Sequence, residues 1–413
     1  MPDERGVLIV SALYPPPDGP TGAAGVRARA MARGLRAAGH AVTVVCARSP
    51  GNARCREDGI EVIPVAWIDV EAHARRVGID FRDSTTQRES GGPPRAGLMR
   101  EIAVRLTIPD RYAVWVPRAV LAAVRAGRDC GILISTGPVS AHLVARAVHA
   151  GRPWIADFND QWSLDPHRTN GSLRDAADVV LEITTIRRAV HLTTANDVYR
   201  DELGRRHRKP VTTLHSGFDP RDFQVSPTVA DGIRPVELLC VGTLYADQNL
   251  GSLLRALSKG RRGGWLTQEM LTVRFVGRLT DRAALEAKRH GVAELVRTSD
   301  AIPRHELIAR MMLADALLLL DHELEPNALP MRLFEYIGAR RPILVLGSEH
   351  NLIARIVNEH GLGRVLPDSR ELESVLRALV DHRDTLPKPH PQTRERFSSI
   401  ETMRTLASIV ASL

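Results

Sequence analysis

The 413-residue chain is too long for one ordinary domain, and its 44% hydrophobic and 25% charged residues exclude wholesale disorder. Only 4% of residues are aromatic, which argues against a protein that works mainly by stacking bases or sugars on rings. The formal charge is +8, and 52 of the 56 basic residues are arginines spread along the chain. That balance fits nucleic acid, an anionic membrane surface or a phosphorylated small molecule, or simply mirrors the base composition of the gene.

Cys46, Cys55, Cys130 and Cys240 are scattered, and no pair has metal-ligand spacing. No apolar run is as long as a membrane span. A cytoplasmic protein with reduced cysteines is the expectation.

The first apolar run, Val7-Leu-Ile-Val-Ser11, reads as a strand. A turn-rich stretch and a glycine loop with Gly19, Gly22 and Gly25 follow, then a helix over 26–38 and a strand over 41–45. This is one βαβ unit, which implies a parallel sheet. A third strand fits 62–65, and the polar segment 71–95 reads as a surface excursion. Strands are expected over 131–134, 154–157, 190–194 and 211–214, with a helix ending near His149. Residues 224–235 read as a linker.

A second alternation then begins: strand 236–242, helix 250–257, strand 271–276, helix 282–290, strand 316–320, helix 331–338 and strand 342–346. The tail 394–413 reads as one amphipathic helix. The fold class expected is therefore α/β with two doubly wound, Rossmann-like domains. The first spans 1–223 and is joined by the terminal helix; the second spans 236–393. Ligands of such sheets lie outside the carboxyl ends of the strands, so a cleft between facing domains is the expected site.

Several motifs in order resemble the GT-B glycosyltransferases, and most closely the retaining class called family 4. They are Tyr14-Pro-Pro followed by a glycine loop and Arg27, Ala38-Gly-His40, Ile108-Pro-Asp110 with Trp115, and Thr136-Gly-Pro138. Further on come Asp157-Phe-Asn-Asp160 with Trp162, Ser216-Gly-Phe-Asp219, Val241-Gly-Thr-Leu-Tyr245 and Leu329-Pro-Met-Arg-Leu-Phe-Glu-Tyr336. The resemblance implies a transferase that moves a sugar from a UDP- or GDP-linked donor to a small-molecule, saccharide or lipid-linked acceptor. It implies retention at the anomeric carbon and no metal. It also implies that the second domain binds the donor and the first the acceptor.

By the same resemblance Glu335 grips the nucleotide ribose. Asn327 stands where many relatives have a glutamate facing the donor sugar, with Glu325 as an alternative. Thr243 and Gln248 stand where relatives carry the arginine and lysine that clamp the diphosphate. Gly22, Gly242, Leu329 and Met331 complete the expected donor contacts. The missing clamp moves attention to Arg332 and Arg278. Arg332 is one turn from Glu335, so both are expected on one helix face.

Asn159 and Asp160 follow a strand end, where many relatives have Arg or His at the Asn159 position. Asp160 could orient an acceptor hydroxyl or act as base, or it could merely cap the next helix. His142 and His215 are weaker candidates. The spacing of Gly19 and Gly22 lacks the G-x-G core of a nicotinamide fingerprint. Two rival functions stand beside the transferase: a nucleotide-sugar epimerase on the same fold, and a basic nucleic-acid-binding protein. Scattered arginine and sparse aromatics weigh against nucleic acid as a partner. Peripheral contact with a membrane stays open.

Overall fold

The computed structural model describes residues 6–15, 23–49, 53–68, 108–164, 172–225, 234–322 and 326–413. In chain order the elements are β1 (Gly6–Val10), α1 (Ala23–Ala37), β2 (Val42–Ala47), β3 (Cys55–Glu57), β4 (Ile60–Val65), α2 (Val116–Ala126) and β5 (Cys130–Thr136). Next are α3 (Ser140–Val148), β6 (Trp154–Phe158), α4 (Ser172–Ile186), β7 (His191–Thr194), α5 (Asp197–His207) and β8 (Val211–Thr213). The second series is β9 (Val236–Val241), α6 (Gly251–Arg262), β10 (Leu271–Val276), α7 (Asp281–Arg289), β11 (Val296–Ser299), α8 (Arg304–Leu313) and β12 (Ala316–Leu320). It continues with α9 (Met331–Ala339), β13 (Ile343–Leu346), α10 (Leu352–Glu359), β14 (Gly363–Leu366), α11 (Ser369–Asp381) and α12 (Pro391–Arg396). The last element is α13 (Ser399–Ala411).

The chain divides into two compact units, Met1–Ser216 with Ser399–Leu413, and Gly217–Ser398. The first holds an eight-stranded sheet in the order β3-β4-β2-β1-β5-β6-β7-β8, parallel except for the β3–β4 hairpin. Its inner strands read as continuous apolar runs because helices cover both faces. Trp115, Ala119, Ala141, Val144, Ile186 and Leu203 cover one face over Leu8, Leu133 and Trp154. On the other face α1 and α13 pack together over Val7, Ile9, Val44 and Ile134. The two helices approach so closely at Gly34 that a Cβ there would lie 2.2 Å from the Met403 Cβ.

The second unit holds a six-stranded parallel sheet in the order β11-β10-β9-β12-β13-β14. That is the doubly wound order in which strand sequence reverses between the first and fourth strands, here β9 and β12. Its core gathers Leu238, Phe275, Leu318, Leu344 and Leu376, all buried.

Two expectations are corrected. The tail 394–413 is not one helix: α12 stops at Arg396 and α13 starts at Ser399. The break is tertiary, because the Phe397 carbonyl accepts the Phe218 N–H at 3.2 Å and Phe218 pairs with Ser398 in an isolated bridge. The glycine loop is also shorter than expected, since α1 begins at Ala23 and takes in Gly25. The excursion 71–95, Gly19, Gly22, Glu325 and most of the linker (226–233) lie outside the described residues.

Candidate active site

The reversal between β9 and β12 in the second unit collects most of the candidates. Gly242 follows the last residue of β9 with φ +109, a conformation that side chains rarely adopt. The absent side chain leaves room for Arg332: a Cβ at Gly242 would lie 3.4 Å from the guanidinium carbon. The neighbouring loop is as tight, because a Cβ at Gly277 would meet the Gly242 carbonyl oxygen at 2.0 Å. Arg278 comes next, exposed, and its side chain makes no hydrogen bond or ion pair with described residues.

Helix α9 supplies the other wall. The β9–β12 ladder pairs only Ala316 with Leu238 and Leu317 with Leu239. Beyond those pairs the buried Tyr336 hydroxyl fills the gap. It accepts the Val241 N–H at 2.9 Å and donates to the Leu318 carbonyl at 3.2 Å. Burial pushes this phenol far above its ordinary range, so it stays protonated. The helix is thus fixed to two strands at once.

Pro330 caps α9 without a side-chain hydrogen bond, and the N–H groups of Met331 and Arg332 have no acceptor among the described residues. Open N–H groups at a helix start favour an anion. Arg332 uses Nη1 on the Val241 carbonyl at 3.0 Å, and Nε and Nη2 bond no described residue.

Glu335 does not share that bonding. Its Oε1 accepts from Arg304 Nη1 at 2.7 Å, and Arg304 also holds Asp222 through Nε at 3.1 Å and Nη2 at 2.7 Å. Arg332 and Glu335 are three residues apart yet turn to different elements. The expected common face is split, with Arg332 on the end of β9 and Glu335 on the start of α8. Glu335 Oε2 keeps no partner among the described residues.

Gln248 is placed differently from a donor contact. It is fully buried, with Nε2 donating to the Leu320 carbonyl and to His322 Nε2, both at 3.1 Å, while Oε1 accepts from Tyr245 N at 3.1 Å. Both amide hydrogens are used, so this side chain straps the loop after β9 to the end of β12. His322 must accept at Nε2, so its proton sits on Nδ1 and is donated to Asp247 Oδ2 at 3.1 Å. Thr243, Asn327, Leu329 and Met331 are half-buried in the two loops and the first turn of α9. His322, Arg304 and Asp222 were missed by sequence reading. The rule that sites sit past strand carboxyl ends would have found His322, two residues after β12.

In the first unit Asp157, next to last in β6, lies inside the protein. Arg27 holds it through Nε to Oδ2 at 2.9 Å and Nη2 to Oδ1 at 2.6 Å, and also donates to the Leu214 carbonyl at 2.7 Å. Thr136 and Thr193 donate hydroxyls at 2.6 and 2.7 Å. Burial alone would raise this carboxyl, but the guanidinium and the hydroxyls hold it below its ordinary value. Asn159 and Asp160 continue from it. A Cβ on Gly137 would lie 3.7 Å from Ala24 Cβ and 3.9 Å from Asn159 Cβ, so three loop ends converge there. Asp160 is exposed and accepts from Asn159 Nδ2 at 2.9 Å. No helix begins among the next four residues, so its expected capping alternative has no helix to cap there.

His142 is structural. It is buried, bonded through Nδ1 to Ser135 Oγ at 2.7 Å, and stacked near Phe158 and Trp162. Burial lowers it to about 4. His215 donates Nδ1 to the Ala195 carbonyl at 3.0 Å. No three His, Cys, Asp or Glu side chains gather as a metal-ligand set among the described residues, and none of their helices is long and apolar enough to cross a membrane.

The architecture matches solved structures along nearly the whole chain. HepE from Anabaena, solved with UDP, aligns over 99% of this chain and 100% of its own, with TM-score 0.65 and 12% identity. Sucrose-phosphate synthase from Thermosynechococcus elongatus aligns over 99% of both chains, with TM-score 0.64 and 11% identity. WaaG, a glycosyltransferase involved in lipopolysaccharide biosynthesis, covers 97% of this chain and 95% of its own, with TM-score 0.55 and 16% identity. The fold is that of the GT-B glycosyltransferases, two Rossmann-like α/β units. No protein-family model matches the sequence, and no curated protein does.

Proposed function

We propose that the protein is a glycosyltransferase that moves a sugar from a nucleotide diphospho-sugar to an acceptor hydroxyl, with retention and without metal. The observation that carries this reading is the β9–β12 reversal. It sets Gly242, the open start of α9 and the two unbonded guanidinium nitrogens of Arg332 around one place. Those groups suit a diphosphate, whose leaving oxygens need positive charge as the glycosidic bond breaks. Glu335 Oε2 suits a ribose hydroxyl. HepE was also solved with UDP-glucose, which favours a uridine nucleotide here. Asn159 and Asp160, in the unit we assign to the acceptor, would orient its hydroxyl.

The test is calorimetric titration of UDP and GDP, followed by transfer assays from the donor whose nucleotide binds. Tight UDP binding and sugar transfer support the reading. Isomerisation of the donor without acceptor would favour an epimerase, and no nucleotide binding would overturn both. Glu335→Gln is expected to weaken UDP by about tenfold, because a charge-assisted bond to ribose becomes a neutral one. Unchanged affinity would remove Glu335 from the ribose. Turnover is expected to survive a chelator; loss with EDTA and rescue by Mg²⁺ would contradict metal independence.

A further inference from the structure

Glu335 is supported from two other elements of the second unit. Arg304 is the first residue of α8, and Asp222 lies in the short 3₁₀ turn Pro220–Phe223. One guanidinium joins all three residues, with Nη1 on Glu335 Oε1 and both Nε and Nη2 on Asp222 Oδ2. Burial works against the charge of this guanidinium, but Glu335 and Asp222 more than offset it, so the group stays ionised. The turn is itself fixed. Asp219 Oδ1 accepts the Arg221 N–H at 3.0 Å, and the Asp219 carbonyl accepts the Asp222 N–H at 3.1 Å. Phe223 is buried, edge-on to Phe218, and presses on α9: a Cβ at Gly338 would lie 2.6 Å from its ring. Asp222 therefore holds Arg304 from a turn packed on the same helix that carries Glu335.

This arrangement decides which oxygen of Glu335 is left. Oε1 is taken, Oε2 bonds no described residue, and the side chain keeps 10% of its exposure. It also decides what Glu335 does not do. Arg332 stands three residues earlier with Nε and Nη2 unused by described residues, a spacing at which glutamate and arginine ordinarily pair on a helix surface. Such a pair would consume both groups assigned to the nucleotide. Arg304 draws Oε1 towards α8 instead, and no ion pair joins Arg332 to Glu335. One positive charge between two carboxylates leaves the trio rich in acceptors, which suits hydroxyl donors and disfavours a phosphate.

We propose that Arg304, held by Asp222, is a positioning residue for ribose recognition: it fixes Glu335 with Oε2 free for the ribose hydroxyls and keeps it from Arg332. The inference rests on the sugar-transfer reading. It adds to that reading a pair of residues that touch no part of the nucleotide and set the preference for a ribose that carries its hydroxyls.

Calorimetric titration of UDP (or GDP, if that is the nucleotide bound) and of its 2′,3′-dideoxy form tests it. The wild type is expected to prefer the hydroxylated form by about tenfold. Arg304→Met should bring that preference to within about twofold, because Glu335 is then free to turn to Arg332. Arg304→Lys should keep roughly threefold, since one ammonium cannot span both carboxylates as the planar fork does. Asp222→Asn should give a similar intermediate value, and these milder variants serve if Arg304→Met misfolds by circular dichroism. Adding Arg304→Met to Glu335→Gln should leave the preference where Glu335→Gln alone puts it, because both act through one carboxylate. A residue that only clasps α8 to α9 would weaken both nucleotides alike and leave the preference intact, and that result overturns the inference. Tighter binding of UDP to Arg304→Met overturns it too, since Arg304 would then compete for Glu335. A wild type that binds both forms equally overturns it and leaves sugar transfer standing, whereas one that binds no nucleotide removes both.

Discussion

Replacing Arg332 by alanine is expected to cut turnover by roughly a hundredfold or more while weakening nucleoside diphosphate by less than about tenfold. The asymmetry follows from where charge grows. The bound diphosphate already carries most of its charge, and the backbone N–H groups at the start of α9 remain in the variant. In the proposed transfer, further negative charge would reach the leaving oxygen only as the sugar departs, and Nε and Nη2 of Arg332, which bond no described residue, would meet it. Arg332→Lys should recover only part of the rate. One ammonium must serve both the Val241 carbonyl and the phosphate, whereas the planar fork serves both at once. Comparing kcat with the dissociation constant of UDP separates the two effects. Near-normal kcat in the alanine variant would move the role to Arg278, whose side chain is exposed and bonds no described residue.

Arg27→Met is expected to destabilise the first unit by about 3–5 kcal/mol, because Asp157 would be left as an uncompensated buried charge. Arg27→Met with Asp157→Asn should recover part of that loss, since the amide oxygen can still accept one threonine hydroxyl while the amide nitrogen donates to the oxygen of the other. Urea unfolding followed by tryptophan fluorescence suits the measurement, because Trp67, Trp115, Trp154 and Trp162 lie in this unit and Trp265 alone in the other. An unchanged midpoint in the single variant would show that the pair contributes nothing. The wild type has a related acid sensitivity. Asp157 is lowered in the folded state, so its contribution is present above the ordinary carboxylate range and lost as pH falls through its depressed value. His142, lowered to about 4, acts in the same direction: its contribution is full above about 6.5 and lost as pH falls towards 4.

The inner strands could be read from the sequence because fully buried parallel strands are short apolar runs, as in Ala316–Leu320, whereas the short, partly exposed edge strands β3, β11 and β14 were missed. Helix α9 could be read because its motif and its apolar face agree. Two of the helices that escaped, α4 and α5, have weak or conflicting patterns, whereas α10 and α11 carry clear apolar stripes that sequence reading missed. Helix α5 is almost wholly polar, with Leu203 its one buried residue, and α4 mixes β-branched residues with buried acids. The break at Phe397 could not be foreseen from local pattern, since Phe218, far back in the chain, causes it. The split between Arg332 and Glu335 was hidden for a similar reason. Helical spacing gives a common face, but Arg304 and the β9 carbonyl decide where each side chain goes. Gln248 reads as a substituted phosphate ligand until His322 and the Leu320 carbonyl take its amide hydrogens.

The return of α13 to α1 has a consequence for synthesis. The first unit needs Met403, Leu406 and Val410 to cover Met31, Leu35 and the sheet beneath them. Its other elements are complete by Ser216, nearly two hundred residues earlier. At ordinary translation rates that interval lasts roughly 10–40 s. Throughout it the nascent unit carries an uncovered apolar stripe along α1, while the second unit is being made and folded. The part made first is therefore the part finished last, and ribosome-associated chaperones should hold it until the final helix emerges.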